Sequence, residues 1–415
     1  MNNNNKYIPL LRFPEFQNEG EWGKKQLKDF LVEHKTKSDG KAEVYSVSVS
    51  KGVVNQIEYL GRSFSAKDTT NYKLVKPNDI IYTKSPTGAF PFGIIKQSFV
   101  KHNVIVSPLY AVFTPINKYI GYIIHSYFES PIRINNYLLP IIQKGAKNTI
   151  QISNTTFLSN GVCFPSELKE QRKIAECLLS LDNYIDVTKR KLEQLKEYKK
   201  GLMQKLFPAK GKTLPELRFP EFQNAGEWQI VPLGEITSVV NRRNKSNRSL
   251  PIYSINNAEG FVPQSQQFAG MDSEARGYDI SAYKIIGKHT FAYNPARINV
   301  GSIGYSGELK DILISSLYVC FKAVENVDDD FLMCFFNSYI FNQAVESNVE
   351  GGIRSYLFYE NFSRISIAIP SLYEQKRIAS CVTSIEDMIK MSNEQISLLE
   401  THKKGLLQQL FPMIK

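Results

Sequence analysis

Leu11–Trp22 reads LRFPEFQNEGEW, and Leu217–Trp228 reads LRFPEFQNAGEW. The two stretches differ at one position of twelve, lie 206 residues apart and contain both tryptophans of the 415-residue chain. A second pair closes each unit: KKGLMQKLFP at Lys199–Pro208 and KKGLLQQLFP at Lys403–Pro412. Between these markers, PSELKEQRKIAECLLSLD (Pro165–Asp182) matches PSLYEQKRIASCVTSIE (Pro370–Glu386) with one residue deleted. A period near 205 is far longer than the roughly 20–50 residues of a solenoid repeat. The chain is a duplicated domain.

The C-terminal part of each copy has helical periodicity. Steps of four and three from Ile174 give Ile174, Leu178, Leu181, Ile185, Thr188, Leu192, Leu195, Lys199, Leu202 and Leu206. The second copy gives Ile378, Val382, Ile385, Ile389, Ser392, Ile396, Leu399, Lys403, Leu406 and Leu410. Apolar residues at this spacing form a heptad seam, and the polar interruptions fall at equivalent places. The pattern predicts two helices of about 40 residues, roughly 60 Å each. Ser166 and Ser371 are the expected N-caps, and Phe207-Pro208 and Phe411-Pro412 the stops. An exposed seam is costly, so each helix needs a partner. Antiparallel pairing of the two copies gives a pseudo-two-fold axis; separate docking on each globular part is the alternative.

Between the matched ends, Lys24–Phe164 and Gln229–Ile369 share only landmarks, such as Val106–Tyr110 (VSPLY) beside Ile314–Tyr318 (ISSLY). Tyr82 through Gly93 parallels Tyr293 through Gly304. Short β-rich runs (Val44–Val49, Ile80–Thr83, Ile312–Phe321) mix with amphipathic helices (Ile120–Phe128, Asp330–Phe341). The expected fold is mixed α/β (α+β): two globular domains and two long antiparallel coiled-coil helices, in a pseudo-two-fold tandem repeat. The expected blocks are residues 1–165, the helix and linker 166–212 (ending AKGK, Ala209–Lys212), residues 213–370, and the final helix 371–415.

The net charge of +11 is unevenly placed. Residues 24–165 hold 18 Lys+Arg against 8 Asp+Glu, a net of +10, whereas residues 229–370 hold 12 against 14, a net of −2. A basic region of this size suits a polyanion, because binding releases counterions. The first domain should therefore lean more on phosphates than the second. Five cysteines without a C-x-x-C pair argue against a disulfide framework or a zinc site, and Cys177 and Cys381 read as buried thiols. No apolar run reaches transmembrane length, the N-terminus lacks a signal-peptide core, and the expected location is cytoplasmic. Asn294-Pro295-Ala296-Arg297 lacks the second proline and the aromatic of an amino-methyltransferase loop. Gly301-Ser302-Ile303-Gly304 is not a nucleotide-binding G-x-G turn. These residues point to a non-catalytic chain with no metal and no cofactor of its own.

The fixed helices, the variable middles and the PS…EQ(R/K)(R/K)IA…KKGLxQxLFP signature resemble the specificity subunits of type I restriction–modification enzymes, over essentially the whole chain. The resemblance implies two target recognition domains, each reading one half of a bipartite, asymmetric site in double-stranded DNA. It also implies a helix pair that acts as spacer and docks two modification (methyltransferase) subunits. S-adenosylmethionine would then sit on those subunits, and ATP on the restriction subunits that join them. A single-chain methyltransferase and a stand-alone two-domain DNA-binding regulator are the alternatives. The near-identity of the LRFPEFQN and KKGLxQxLFP segments favours a pair of equivalent docking surfaces over the regulator.

Candidate DNA contacts lie on loops. Arg297 and Asn299 offer donors suited to guanine and adenine edges, and Lys84, Ser85 and Thr87 are their first-copy counterparts. A glycine-basic turn supplies Lys144, Lys147 and Asn148 in one copy and Arg354 and Ser355 in the other, where backbone amides could approach phosphate. Arg242, Arg243, Lys245 and Arg248 form a further basic cluster.

Overall fold

The computed structural model describes residues 7–144, 150–257, 259–268, 270–349 and 356–412. The chain forms two compact units, residues 1–189 with 394–415, and residues 190–393. This division cuts across the expected blocks, because each long helix contributes one half to each unit.

The central helix runs Leu168–Leu206 and the C-terminal helix Leu372–Leu410, 39 residues each. In the first unit Ile174, Leu178, Ile185 and Ile396 are buried, with Leu181 and Leu399 half-buried. In the second unit Leu192, Ile378, Val382 and Ile385 are buried, with Leu195 and Ile389 half-buried. The helices run antiparallel: Asp182 meets Lys403 at 2.6 Å while Lys189 meets Glu400 at 2.6 Å. In the second unit Lys199 meets Glu386 at 2.5 Å. The two polar interruptions of the seam thus have different explanations. Lys199 and Lys403 are cross-helix ion pairs. Thr188 and Ser392 donate their hydroxyls to the carbonyls of Tyr184 and Met388, both at 2.8 Å, so each satisfies itself within its own helix.

Ser371 caps the C-terminal helix, its Oγ accepting from the Glu374 N–H at 3.3 Å. Ser166 does not cap the central helix, which starts at Leu168. The extra residue of the first copy, Glu167, falls between the serine and the first turn and moves Ser166 out of capping position.

The LRFPEFQN segments hold their units together. Arg12 forks onto Glu170, Nε to Oε1 at 2.7 Å and the terminal nitrogen to Oε2 at 2.8 Å, while Trp22 donates to the same carboxylate at 3.2 Å. Arg218 repeats the fork on Glu374 at 2.8 Å for both bonds, and Trp228 donates at 3.3 Å. Both glutamates are 2% exposed or less. The helix tails close the same units: Phe411 packs edge-on against Tyr127 and Phe164, and Phe207 lies against Phe331 and Phe335.

The first unit holds a four-stranded antiparallel sheet in the order Leu31–Glu33, Ala111–Pro115, Ile80–Tyr82, Ile95–Gln97. Its counterpart runs Thr237–Val239, Val319–Ala323, Phe291–Tyr293, Ile303–Tyr305. The apolar run Ile312–Phe321 is two strands, not one: Ile312–Ile314 belongs to a separate sheet and a tight turn leads into Val319–Ala323. The expected helix Asp330–Phe341 is also two, Asp329–Phe336 and Tyr339–Asn348, because Ser338 caps the second by accepting from the Phe341 N–H. Cys177 and Cys381 are partly exposed, while Cys163, Cys320 and Cys334 are buried.

Lys403 enters a dense polar cluster in the first unit. Its ammonium meets Glu129 at 2.7 Å as well as Asp182; Glu129 also faces His125 at 3.4 Å and Lys96 at 3.6 Å, and Tyr122 donates to Asp182. Burial holds the His125 imidazole below its usual range, against the pull of Glu129. Burial would raise the Glu129 carboxyl, but its bond to His125 and the charges of His125, Lys403 and Lys96 outweigh that and hold it well below the carboxylate range.

Two outcomes are expected. Removing Glu374 takes the carboxylate from Arg218 and leaves the buried Trp228 indole N–H without its acceptor, costing about 1–3 kcal/mol. In hydrogen exchange, Glu374→Ala should speed exchange in residues 213–236 and 372–393 while residues 24–142 keep their protection; an unchanged pattern would contradict the clamp. The unfolded chain takes up a proton at His125 near pH 6.5 and the folded chain only at lower pH. The first unit should therefore lose stability as pH falls below about 6.5, and further below about 4.5 as Glu129 begins to cost protons only the unfolded chain accepts. Replacing His125 with Gln should remove the upper part of that decline in pH-dependent melting, and an unaltered profile would exclude the assignment.

Candidate nucleic-acid interface

In each unit the loop after the central sheet strand leaves beside the turn that leads into its neighbour. Tyr82 pairs with Ala111 and Tyr293 with Val319, so loop 84–93 lies beside turn 107–110 and loop 294–302 beside turn 315–318. The turns are built alike. Ser107 Oγ accepts from the Leu109 N–H at 3.3 Å, and Ser315 Oγ from the Leu317 N–H at 3.4 Å. The N–H groups of Tyr110 and Tyr318 return to the carbonyls of Ser107 and Ser315, each at 3.1 Å. The Lys73 ammonium donates to the Tyr110 carbonyl at 2.5 Å and the Lys284 ammonium to the Tyr318 carbonyl at 2.7 Å. Burial pushes the Lys73 ammonium down from its usual value.

The expected contact residues fall into three groups. Lys84 turns inward, its ammonium donating to the Ile152 carbonyl at 3.0 Å, and burial lowers its pKa. Its backbone is left-handed, φ 59°, and packs on Gly93, where an added Cβ would stand 2.7 Å from the Lys84 nitrogen. Lys84 thus fastens the loop, while Ser85 and Thr87 stay exposed on it. Arg297 and Asn299 are exposed on a loop pinned by buried Ile298, and among the described residues the Arg297 guanidinium has no hydrogen bond or ion pair. Arg242 and Arg243 are exposed, and Arg243 pairs its backbone with that of Lys284, whose ammonium reaches the Tyr318 carbonyl, so this cluster lies near the turn 315–318. Arg248 instead reaches Asp311 at 3.6 Å, and its backbone is tied to buried Asn244. Lys147, Asn148, Arg354 and Ser355 lie outside the described residues, as does the side chain of Lys144.

Sequence reasoning missed Lys73 and Lys284. The signal was their equivalent placement before the VSPLY and ISSLY runs, but their bonds to turn carbonyls need the strand register to be known. The backbone of Lys37 pairs with that of Lys73 as the backbone of Arg243 pairs with that of Lys284, so a basic residue recurs near each turn.

Catalytic geometry is not formed by the two motifs weighed for it. Asn294–Arg297 is a turn closed by Asn294, which accepts from the Ala296 and Arg297 N–H groups at 3.0 Å. Gly301 ends a single 3-10 turn and leads into the strand Ile303–Tyr305, so no helix N-terminus is available there for a nucleotide. Among the described residues no cluster of three or more His, Cys, Asp or Glu could hold a metal ion, and no helix is long and apolar enough to cross a membrane.

Comparison with known proteins places this architecture. A family model described as the type I restriction modification DNA specificity domain matches residues 19–197 and again 225–401. The specificity subunit of type I restriction enzyme MjaVIII of Methanocaldococcus jannaschii is 25% identical over 267 residues, 59% of this chain and 59% of that one. A second protein of that organism, named by inference as the MjaX specificity subunit, is 23% identical over 386 residues, 88% of this chain and 85% of that one. Among solved structures, the type I restriction–modification S subunit from M. genitalium aligns with a TM-score of 0.59 at 14% identity, covering 98% of this chain and 100% of that one. A chain from work on assembly and conformational transition of the type I system aligns at 0.52 and 15% identity, covering 94% and 97%. At these identities the structural likeness speaks for the fold alone, but the family match spans both copies, and the chain belongs to the type I restriction–modification specificity subunits, carrying the specificity domain twice.

Proposed function

We propose that this chain reads a bipartite, asymmetric site in double-stranded DNA, one half-site per unit, and is the non-catalytic partner of subunits that methylate adenine and cleave. The observation that carries the reading is a frame repeated in both units whose exposed loop donors differ. Arg297 and Asn299 stand free in one unit, whereas Ser85 and Thr87 hold the matching loop of the other. Different donors on equal frames select different bases, so the whole site is non-palindromic.

Docking of two modification subunits rests on the long helices. Tyr184 and Val187 are 48% and 54% exposed, and the equivalent Met388 and Met391 are 44% and 68% exposed. Equivalent apolar side chains left in water suit two copies of one partner. The LRFPEFQN segments no longer carry that argument, because their repeated arginine and tryptophan are spent inside each unit. S-adenosylmethionine belongs on the modification subunits, ATP on the restriction subunits, and the complex in the cytoplasm.

The purified chain with S-adenosylmethionine should transfer no methyl groups to DNA, and should do so once joined by two modification subunits; transfer by the chain alone would overturn the reading. Arg297→Ala should relax base preference in one half-site by about tenfold, the scale of one lost bidentate contact. Equal weakening on every sequence would make Arg297 a phosphate contact instead.

A further inference from the structure

Leu109 and Leu317 occupy the same position in the two turns described above, and they are 77% and 75% exposed. A single exposed leucine is ordinary on a protein surface. Two at equivalent positions are not, because the domains around them have diverged to sparse landmarks while keeping this turn, its serine, its tyrosine and the lysine beneath it. Neither side chain contributes to its own core. Folding stability therefore does not explain why both copies retain it.

We propose that Leu109 and Leu317 are base-contacting tips, each making the apolar contact with base edges of the half-site read by its own unit. This inference rests on the reading of the chain as a DNA-specificity subunit. Three observations support it. The tip is rigid: the serine hydroxyl and carbonyl both close the turn, Pro108 presets its backbone in the first copy, and the lysine ammonium holds the tyrosine carbonyl at its exit. A side chain held out in this way loses little freedom on binding. Basic residues stand near the turn in both units: exposed Lys37 pairs its backbone with that of Lys73, and exposed Arg243 with that of Lys284. In the second unit Arg297 also bears electrostatically on Tyr318. An apolar tip with basic residues nearby fits a ligand with an anionic backbone and apolar features between, as thymine methyl groups lie between phosphates. The leucines also lie beside the very loops, 84–93 and 294–302, that differ between the units, so fixed apolar contact and variable polar readout would share one surface.

The test is selection of bound sequences from a randomised duplex DNA library by the full chain assembled with its modification subunits. The wild type, Leu109→Ala and Leu317→Ala are compared. Leu109→Ala should flatten preference about tenfold at one or two adjacent base pairs of one half-site and leave the other half intact; Leu317→Ala should do the reverse. Thermal melting should stay unchanged, since neither side chain is buried. Unchanged preference in both halves, or equal weakening on all sequences, would overturn the proposal. So would retained selection with loss of the modification subunits, which would make these tips protein contacts. If the wild type itself enriches no two-part sequence, the proposed function fails rather than this assignment.

Discussion

A carboxylate buried near the start of each long helix must be neutralised in place, and the rest of the architecture follows from how that is done. Glu170 and Glu374 lie among apolar neighbours, where an unpaired charge would cost several kcal/mol. The partner is in each case an arginine from a segment more than 150 residues away in sequence, joined by the tryptophan of the same segment. The fork on the carboxylate fixes the segment, the segment fixes the first strand of the domain, and the helix is held at one angle to both. This explains why LRFPEFQN and its tryptophan stay nearly identical while the domains that follow them diverge.

The helix tails complete each unit in the same way, with a consequence for chain order. In the second unit Leu217 donates its N–H to the carbonyl of Lys205, at the tail of the helix that precedes it in the chain. In the first unit Leu11 donates to the carbonyl of Gln409, at the tail of the last helix. The two bonds are equivalent, yet one joins near neighbours and the other spans almost the entire sequence. The first unit is therefore discontinuous, and blocks drawn along the sequence cannot reproduce it.

Much of this could be read from the residues. The repeat and the seam from Ile174 to Leu206 are periodic, and periodicity survives without knowledge of contacts. Lys199 and Lys403 stood out as interruptions, but their ion pairs with Glu386, Asp182 and Glu129 depend on which helix faces which. The run ILISSLYVCF concealed a turn because apolar residues flank it on both sides, and the two strands it joins lie in different sheets. Ser166 failed as a cap through a one-residue insertion. Among the loop residues, Arg297 remains exposed as its type suggests, whereas Lys84 carries the right charge in the right place and spends it on the Ile152 carbonyl. Residue type alone does not tell a free ammonium from a committed one.

On the proposed reading, repeated frames with different loops serve two half-sites, each read by its own unit. The most direct measurement is a genome-wide map of methylated adenines in the host with and without this gene. The account predicts that one motif disappears with the gene, made of two unlike halves separated by a constant number of unread bases. A palindromic motif, an uninterrupted one, or a map that does not change would contradict it.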